Sequence, residues 1–408
     1  MKLAADNALG IYVSIPFCRS KCTYCNFASG VYPASEHQRY MERVIADLRG
    51  APVWADRMGA ELSRRVDTVY LGGGTPSLLE PELLTALFGA LRAEFDVATD
   101  AEITVECAPG QLADATLAAM VAAGVNRVSL GVQSFVDREA QVSGRLHSRE
   151  IVENDLRRLR AAGISNLNVD LIAGLAGQTH ASWEQSLDAL LTAGAPHASV
   201  YMLEVDEESR LGREMLNGGA RYYAELVPTD DAIAGMYARA IERLAEVGLV
   251  QYEISNFSIP GLESRHNLRY WKRRPYLGVG LDASSAFYEA EGSERALLRA
   301  KTTDDLKEYL AGPPIAETAW LSTVQQFEEA WFLGLRLNAG VRLHALRAEF
   351  GAEAMAMTIP VLERLVEAGL VSCDSGIVRL TMRGRLVSNE VFVEFLDPAS
   401  QRVRESTS

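Results

Sequence analysis

The stretch "IYVSIPFCRSKCTYCNF", Ile11–Phe27, sets a short apolar run directly against three cysteines spaced Cys-x3-Cys-x2-Cys. The run IYVSI (11–15) reads as a buried strand, and the cysteines fall on the loop that leaves it. Further apolar runs follow at TVYLG (68–72), EITVEC (102–107), RVSLGV (127–132), LNVDLIAG (167–174) and ASVYMLEV (198–205). Between them lie stretches with helical spacing, among them YMERVIADLRGA, PELLTALFGALRAEF, DATLAAMVAAG and SWEQSLDALLTAG. Continuous apolar strands separated by helices predict a parallel sheet covered on both faces. Six such units with chemistry gathered at strand ends predict an α/β fold, a partial (β/α)6 barrel of the TIM type. A part-barrel leaves an open side that something else must cover.

Downstream, DDAIAGMYARAIERLAEVGL (230–249) reads as a helix and leads to YEISNF and a Pro-, Arg- and aromatic-rich region, 258–290. Gly312-Pro-Pro suggests a boundary, dividing the chain into a barrel (1–257), a connection (258–312) and a C-terminal domain (313–408). The last part reads as helices (VQQFEEAWFLGLRL, LHALRAEFG, IPVLERLVEAGLV), a strand pair at CDSGIVRLT and a final helix RGRLVSNEVFVEFL. That order is winged-helix-like. With 9 Arg, no Lys and 12 Asp or Glu from Pro313 on, it lacks the clustered cations that DNA phosphates require.

The formal net charge of −14 over 408 residues likewise argues against a general nucleic-acid binder. No signal peptide is visible, and no apolar run approaches the roughly 18–20 residues of a membrane span, so the expected location is cytoplasmic. Five cysteines, an odd number, do not suggest a secreted disulfide framework. Cys107 and Cys373 stand alone and read as small buried hydrophobes.

Three thiolates on one loop can hold a metal centre. A zinc ribbon would need a second Cys-x2-Cys pair or histidines to complete four ligands, and no such residues are near in sequence. A four-iron cluster normally takes four thiolates, so three leave one iron open to an exchangeable ligand. After the second strand comes GGGTPS (72–77), whose glycines let backbone approach a ligand and free N–H groups to point at it, although such a run alone is often only a turn. Polar residues then recur at strand ends: Glu106 in TVEC, Gln133 in GVQSF, Arg145 in SGRLH and Asp170 in NVDLIAGLAGQT. Singly, each is as readily a structural polar group as a ligand contact. A carboxylate suits ribose hydroxyls, and an Arg suits a carboxylate by a forked pair.

Cys18-x3-Cys22-x2-Cys25, with Tyr24 before the last cysteine, resembles the motif of the radical S-adenosylmethionine (SAM) superfamily. The run IPFC, GGGTP, GVQSF, GR-x-H and DLI-x-GL-x-GQT resembles its coproporphyrinogen-oxidase-like branch over nearly the whole chain. The resemblance implies a [4Fe–4S] cluster on Cys18, Cys22 and Cys25, and SAM contacts from Tyr12, Tyr24, Gly73, Gly74, Thr75, Glu106, Gln133, Arg145 and Asp170.

Two families share these motifs. Coproporphyrinogen III dehydrogenases carry a fourth cysteine and an N-terminal extension, whereas this chain has Phe27 and only ten residues before Ile11. A family of heme chaperones carries His-Asn-x-x-Tyr-Trp, and "HNLRYW" (266–271) resembles it. Membership implies heme contact by His266, Asn267, Tyr270 and Trp271, with His266 as candidate iron ligand, and transfer of heme to acceptors such as respiratory-chain proteins. It points away from coproporphyrinogen oxidase activity and admits a homodimer. A lone His beside Tyr and Trp is otherwise commonly a packed His. Five cations, Arg265, Arg269, Lys272, Arg273 and Arg274, suit the two heme propionates. Ser284 stands where the family often has His, a difference expected to alter a lid over the pocket.

Overall fold

The computed structural model describes residues 8–290, 296–312 and 315–396; the first seven residues and two of the three residues at the Gly312 boundary lie outside that set. Six parallel strands run in sequence order: β1 (Leu9–Ile15), β2 (Arg65–Gly73), β3 (Asp96–Cys107), β4 (Arg127–Gln133), β5 (Asn166–Ala173) and β6 (His197–Met202). Each is followed by helix on the outer face, as the α/β alternation predicts. The helix Ala34–Met58 buries Tyr40, Met41, Val44 and Leu48, the spacing of a single helical stripe. The helix His180–Ala193 begins with a capping box between Thr179 and Ser182 and ends at Gly194, whose φ of 62° is the left-handed conformation glycine adopts without strain.

The strands are not apolar on both faces, as expected from sequence, but alternate. In β4, Val128, Leu130 and Val132 join the hydrophobic core under the helices, while Arg127, Ser129, Gly131 and Gln133 face the lumen. The same period of two places Asn168 and Asp170 of β5 inside, and Val169 and Leu171 outside. The barrel interior is therefore a polar chamber rather than a packed core.

The sheet also extends beyond six strands. At one edge, β7 (Val250–Gln251) and β8 (Asn256–Ser258) pair antiparallel onto β6. At the other, β9 (Tyr276–Val279) lies parallel to β1, and β10 (Ser284–Tyr288), β11 (Leu297–Thr302) and β12 (Ile315–Leu321) continue antiparallel, giving twelve strands. The main sheet thus runs past the Gly312 boundary expected from sequence.

The C-terminal unit packs on Trp331 and Leu335 of the helix Thr323–Arg336. It carries a three-stranded sheet of β13 (Val341–Arg342), β14 (Val371–Asp374) and β15 (Ile377–Leu380). Gly351, at φ 88°, breaks the segment Leu343–Glu367 into two helices, and the expected last helix is two short ones, Met382–Leu386 and Ser388–Val393. This is the winged-helix-like order. The unit closes onto the β7–β8 turn, where Ile254 N–H donates to the Arg336 carbonyl at 3.1 Å and Asn338 Nδ2 to the Gln251 carbonyl at 2.6 Å. Cys373, expected to be buried, is exposed on β14, whereas Cys107 is buried. Among the described residues, no helix is long and apolar enough to cross a membrane.

Candidate functional site

The cysteine loop leaves the C-terminal end of β1, the end of a barrel where active sites gather. Its base is held by Phe17, whose buried ring stacks on His37 with centroids 4.0 Å apart. Cys18 N–H donates to the Gly30 carbonyl at 2.8 Å and Gly30 N–H to the Pro16 carbonyl at 2.9 Å, tying the loop's two ends. Thr23 N–H reaches the Ser143 carbonyl at 3.1 Å, Leu211 N–H reaches the Thr23 carbonyl at 2.9 Å, and Asn26 bonds Asp206 at 3.1 Å. Loops after β4 and β6 therefore clamp the three thiols, all partly exposed, over the barrel mouth. Burial pushes the Cys18 thiol up, and the Ser29 and Thr75 hydroxyls beside it partly offset this. Among the described residues no three His, Cys, Asp or Glu side chains are grouped tightly enough to hold a single metal ion. Phe27 is 63% exposed at the rim.

Beneath the thiols lies a cavity of about 540 Å³, within the range of small-molecule sites. Cys18, Cys22, Cys25, Tyr24, Gly73, Gly74, Thr75, Glu106, Gln133, Arg145 and Asp170 all line it. Tyr12 does not; its ring stacks on Tyr70, which does. The cavity also takes in Arg127, Ser129, Asn168, Ser199 and Tyr201, which sequence reasoning missed. The period-two polar pattern of β4 and β5 was the signal that could have found them.

GGGTP differs from expectation. Gly73 N–H bonds the Glu106 carboxylate, Gly74 N–H the Ile15 carbonyl at 2.8 Å, and Thr75 N–H the Phe17 carbonyl at 2.8 Å. The last two brace the base of the cysteine loop, the first ties the end of β2 to β3, and none of the three is free for a ligand. A Cβ on Gly74 would lie 2.7 Å from the Ile15 oxygen and 2.9 Å from the Phe17 oxygen, so only glycine allows this close approach.

Around the chamber, Tyr70 OH donates to Glu106 at 2.8 Å. Burial, with Asp170 nearby, pushes the Glu106 carboxyl up to about 7. Asp170 accepts from Ser129 at 3.0 Å and Asn168 at 2.7 Å, and burial raises its carboxyl too. Gln133, at φ 70°, keeps its side-chain oxygen without a hydrogen bond, as does the buried Arg145 Nε. The Arg145 guanidinium lies against Gly131, where a Cβ would come within 2.8 Å of it. Strained, orphaned polar groups converging in a cavity mark a place built for a ligand.

The HNLRYW segment is the helix Arg265–Trp271, at the opposite end of the barrel from the thiols. Glu102 of β3 accepts from the N–H groups of Arg265 and His266, each at 2.9 Å. His266 is 1% exposed, and both ring nitrogens are taken, by Thr68 Oγ1 at 3.0 Å and the Tyr270 hydroxyl at 2.8 Å. Burial, reinforced by the Arg269 and Arg127 charges, depresses its pKa to about 3. In this arrangement His266 is not an open iron ligand as expected, because the ring is buried and both its nitrogens, the protonated one and the one with the lone pair, are held in hydrogen bonds. Asn267 lines the cavity floor, Tyr270 is turned inward, and Trp271 carries the Arg336 guanidinium 4.3 Å over its ring. Ser284 opens β10 away from the cavity and forms no lid.

Comparison with known proteins agrees with this architecture. Residues 12–190 match the Radical SAM superfamily, and residues 321–387 match the HemN C-terminal domain. Heme chaperone HemW of Bacillus subtilis is 32% identical over 94% of this chain and 98% of its own. Heme chaperone HemW of Lactococcus lactis is 31% identical over 94% and 96%. The solved coproporphyrinogen III oxidase (HemN) of Escherichia coli, a radical SAM enzyme, shares the fold, with a TM-score of 0.81 at 22% identity over 95% of this chain and 90% of that one. By identity sustained along its whole length, with a radical SAM barrel and a HemN-type C-terminal domain, this chain belongs to the HemW family of heme chaperones within the radical SAM superfamily.

Proposed function

We propose that this protein is a heme chaperone that binds a [4Fe–4S] cluster, SAM and heme, and passes heme to acceptor proteins. The observation that carries the reading is the loop itself. Three clamped thiols stand over a polar cavity, and an exposed Phe27 occupies the place where a fourth thiol would sit in a dehydrogenase.

The residues present fit the absent groups: three thiols at one mouth, and the unpartnered Gln133 oxygen and Arg145 Nε beneath them. A three-thiolate cluster, when bound, supplies an open iron for the amino acid end of SAM and an electron for its sulfonium. Arg145 suits the SAM carboxylate by a forked pair. Gly73–Thr75, their N–H groups spent, would meet the ammonium with carbonyl oxygens. Glu106 and Asp170 suit the ribose hydroxyls, and Glu106, poised near pH 7, accepts best when ionised. Tyr24 stands beside Cys22 and Arg145, between the thiols and the group suited to the SAM carboxylate. For heme, the inner residues His266 and Tyr270 are committed to the barrel floor, which leaves the outer edge of HNLRYW, at Trp271 and the neighbouring cations. The acceptors suggested by the family resemblance are proteins of a respiratory chain.

The test is anaerobic reconstitution followed by hemin titration. About four irons per chain are expected, lost in Cys18→Ala, with an EPR signal altered by SAM. Hemin absorbance left unchanged by the protein would sink the chaperone reading. Stoichiometric conversion of coproporphyrinogen to protoporphyrinogen would replace it with a dehydrogenase.

A further inference from the structure

We infer that the floor of the barrel cavity is a binding site for a small organic acid, whose carboxylate is held by Arg127. The site stands on this chain's own residues; its place beneath SAM rests on the radical SAM reading. Arg127 opens β4 and Gln133 ends it, and both line the cavity. Six residues of strand span about 20 Å, so the cavity runs the length of the strand. Cys18, Cys22, Cys25, Gln133 and Arg145 belong to its mouth, whereas Asn267 reaches it from the floor helix.

Arg127 is 1% exposed, and its Nε is enclosed without a partner. Among the described residues its guanidinium makes no hydrogen bond and no ion pair. A guanidinium carries five N–H donors, and a buried charge without acceptors is costly. The other polar groups at that depth are met. His266 is held by Thr68 and Tyr270, His197 by Asn168 and Tyr252, and Glu102 by two N–H groups of the floor helix. The Arg127 charge acts on His197, His266 and Tyr252 on one side and on Asp170 and Tyr70 on the other, which sets it between floor and chamber.

Three carboxylates line the cavity among the described residues, and none closes on Arg127. Glu106 is bonded by Tyr70 and keeps its proton up to about 7. Asp170 is held by Ser129 and Asn168, and attracts Arg127 only from a distance. Glu204 follows β6 at the mouth and is exposed. Arg336, on the wall formed by the C-terminal unit, lays its guanidinium over the Trp271 ring. An open guanidinium fork matches the two oxygens of a carboxylate. The walls beside it, Tyr70, Ser129, Asn168 and Ser199, are polar, which suits a small hydrophilic acid and not an apolar macrocycle. A heme carrier has no need of such an acid, so its binding marks a second ligand, read separately from heme.

The experiment follows the fluorine NMR line width of trifluoroacetate, a minimal carboxylate, with the anaerobically reconstituted full-length protein and SAM in excess to occupy Arg145. Saturable broadening is expected, reversed by acetate and not by acetamide, which has a similar shape without the charge. Arg127→Met strands no acceptor, because the guanidinium serves none, and is expected to load as much iron as wild type while binding trifluoroacetate about tenfold or more weakly, the scale of a charge-assisted hydrogen bond. Arg127→Lys, which keeps the charge without the fork, is expected to fall between the two, and it decides the matter if Arg127→Met does not fold. Equal broadening in wild type and these variants, reversal by acetamide as readily as by acetate, or no broadening at all overturns the site and leaves water as the only company of Arg127. Broadening that appears without SAM and vanishes with it puts the anion on Arg145, which overturns the floor site and leaves the SAM reading standing. If the cluster does not form or SAM leaves its EPR signal unchanged, the radical SAM reading fails, and the same titration of wild type against the Arg127 variants without SAM still decides the floor site.

Discussion

Replacing His266 separates a floor residue from an iron ligand. The ring bridges Thr68 Oγ1 and the Tyr270 hydroxyl, stacks on Tyr70 at 5.2 Å and 30°, and meets Tyr270 edge-on at 5.2 Å and 87°. His266→Ala removes two buried hydrogen bonds, leaves a cavity and strands two hydroxyls. Those losses together amount to about 3–5 kcal/mol. The titration gives a second handle. In the unfolded chain the ring gains a proton below its ordinary 6.5, whereas in the fold it does not until about 3. Its contribution is therefore full above pH 6.5 and is lost as pH falls from 6.5 towards 3. At pH 5 the difference of about 1.5 units corresponds to about 2 kcal/mol. His266→Gln, which keeps polar atoms but cannot charge, is expected to lose about 2 kcal/mol less than wild type between pH 7.5 and pH 5. Denaturant unfolding at the two pH values, followed by circular dichroism, reads this directly. His197, also buried with its pKa depressed, contributes a pH dependence of the same sign to both proteins, so the difference between variant and wild type isolates His266. If His266→Ala is as stable as wild type and at the same time loses the heme absorbance shift, the reasoning fails, and the ring must turn outward to bind iron.

Other consequences of the structure can be measured independently. Gly74→Ala would push a methyl into the Ile15 and Phe17 carbonyls, so reconstituted iron per chain is expected to fall well below that of wild type. Arg269 holds Asp67 and the main-chain oxygens of Ala8 at 2.8 Å and Pro275 at 3.0 Å, and Arg269→Met is expected to cost about 3–5 kcal/mol in denaturant unfolding by leaving the buried Asp67 with only the more distant Arg265 at 4.0 Å. Glu106 keeps its proton in the fold up to about 7, whereas an unfolded carboxyl loses it near 4.5, so this group lowers stability as pH rises through that interval. Glu106→Gln is expected to remove about 2.5 kcal/mol of that decline between pH 5 and pH 8, and an identical pH profile for the two proteins would show that Glu106 is ionised throughout.

Much of this protein is determined by local pattern. The alternation of apolar runs and helical stretches specifies six parallel strands, because each run is long enough to pair and each linker long enough to cross over. Cys18, Cys22 and Cys25 must share a site, since a span of eight residues cannot separate them far, and a strand end delivers them to the barrel mouth. Glu106, Gln133, Arg145 and Asp170 reach the same cavity because parallel strands end on one side.

Direction and partnership were settled only by tertiary packing. Whether a strand's polar residues face a lumen depends on closure of the sheet, which made the interior a polar chamber rather than the apolar slab that hydropathy suggested. The N–H groups of Gly74 and Thr75 looked free in sequence, but residues about sixty positions earlier consume them. His266 sits in a motif that suggests an open ligand, yet Thr68, 198 positions away, takes one nitrogen and Tyr270, one helical turn on, takes the other. The cations of Arg265–Arg274 are alike in sequence, and it is the placement of Asp67 and Glu349 that spends Arg269 and Arg273. A side chain's chemistry is written locally, but its availability depends on which distant group the fold sets against it.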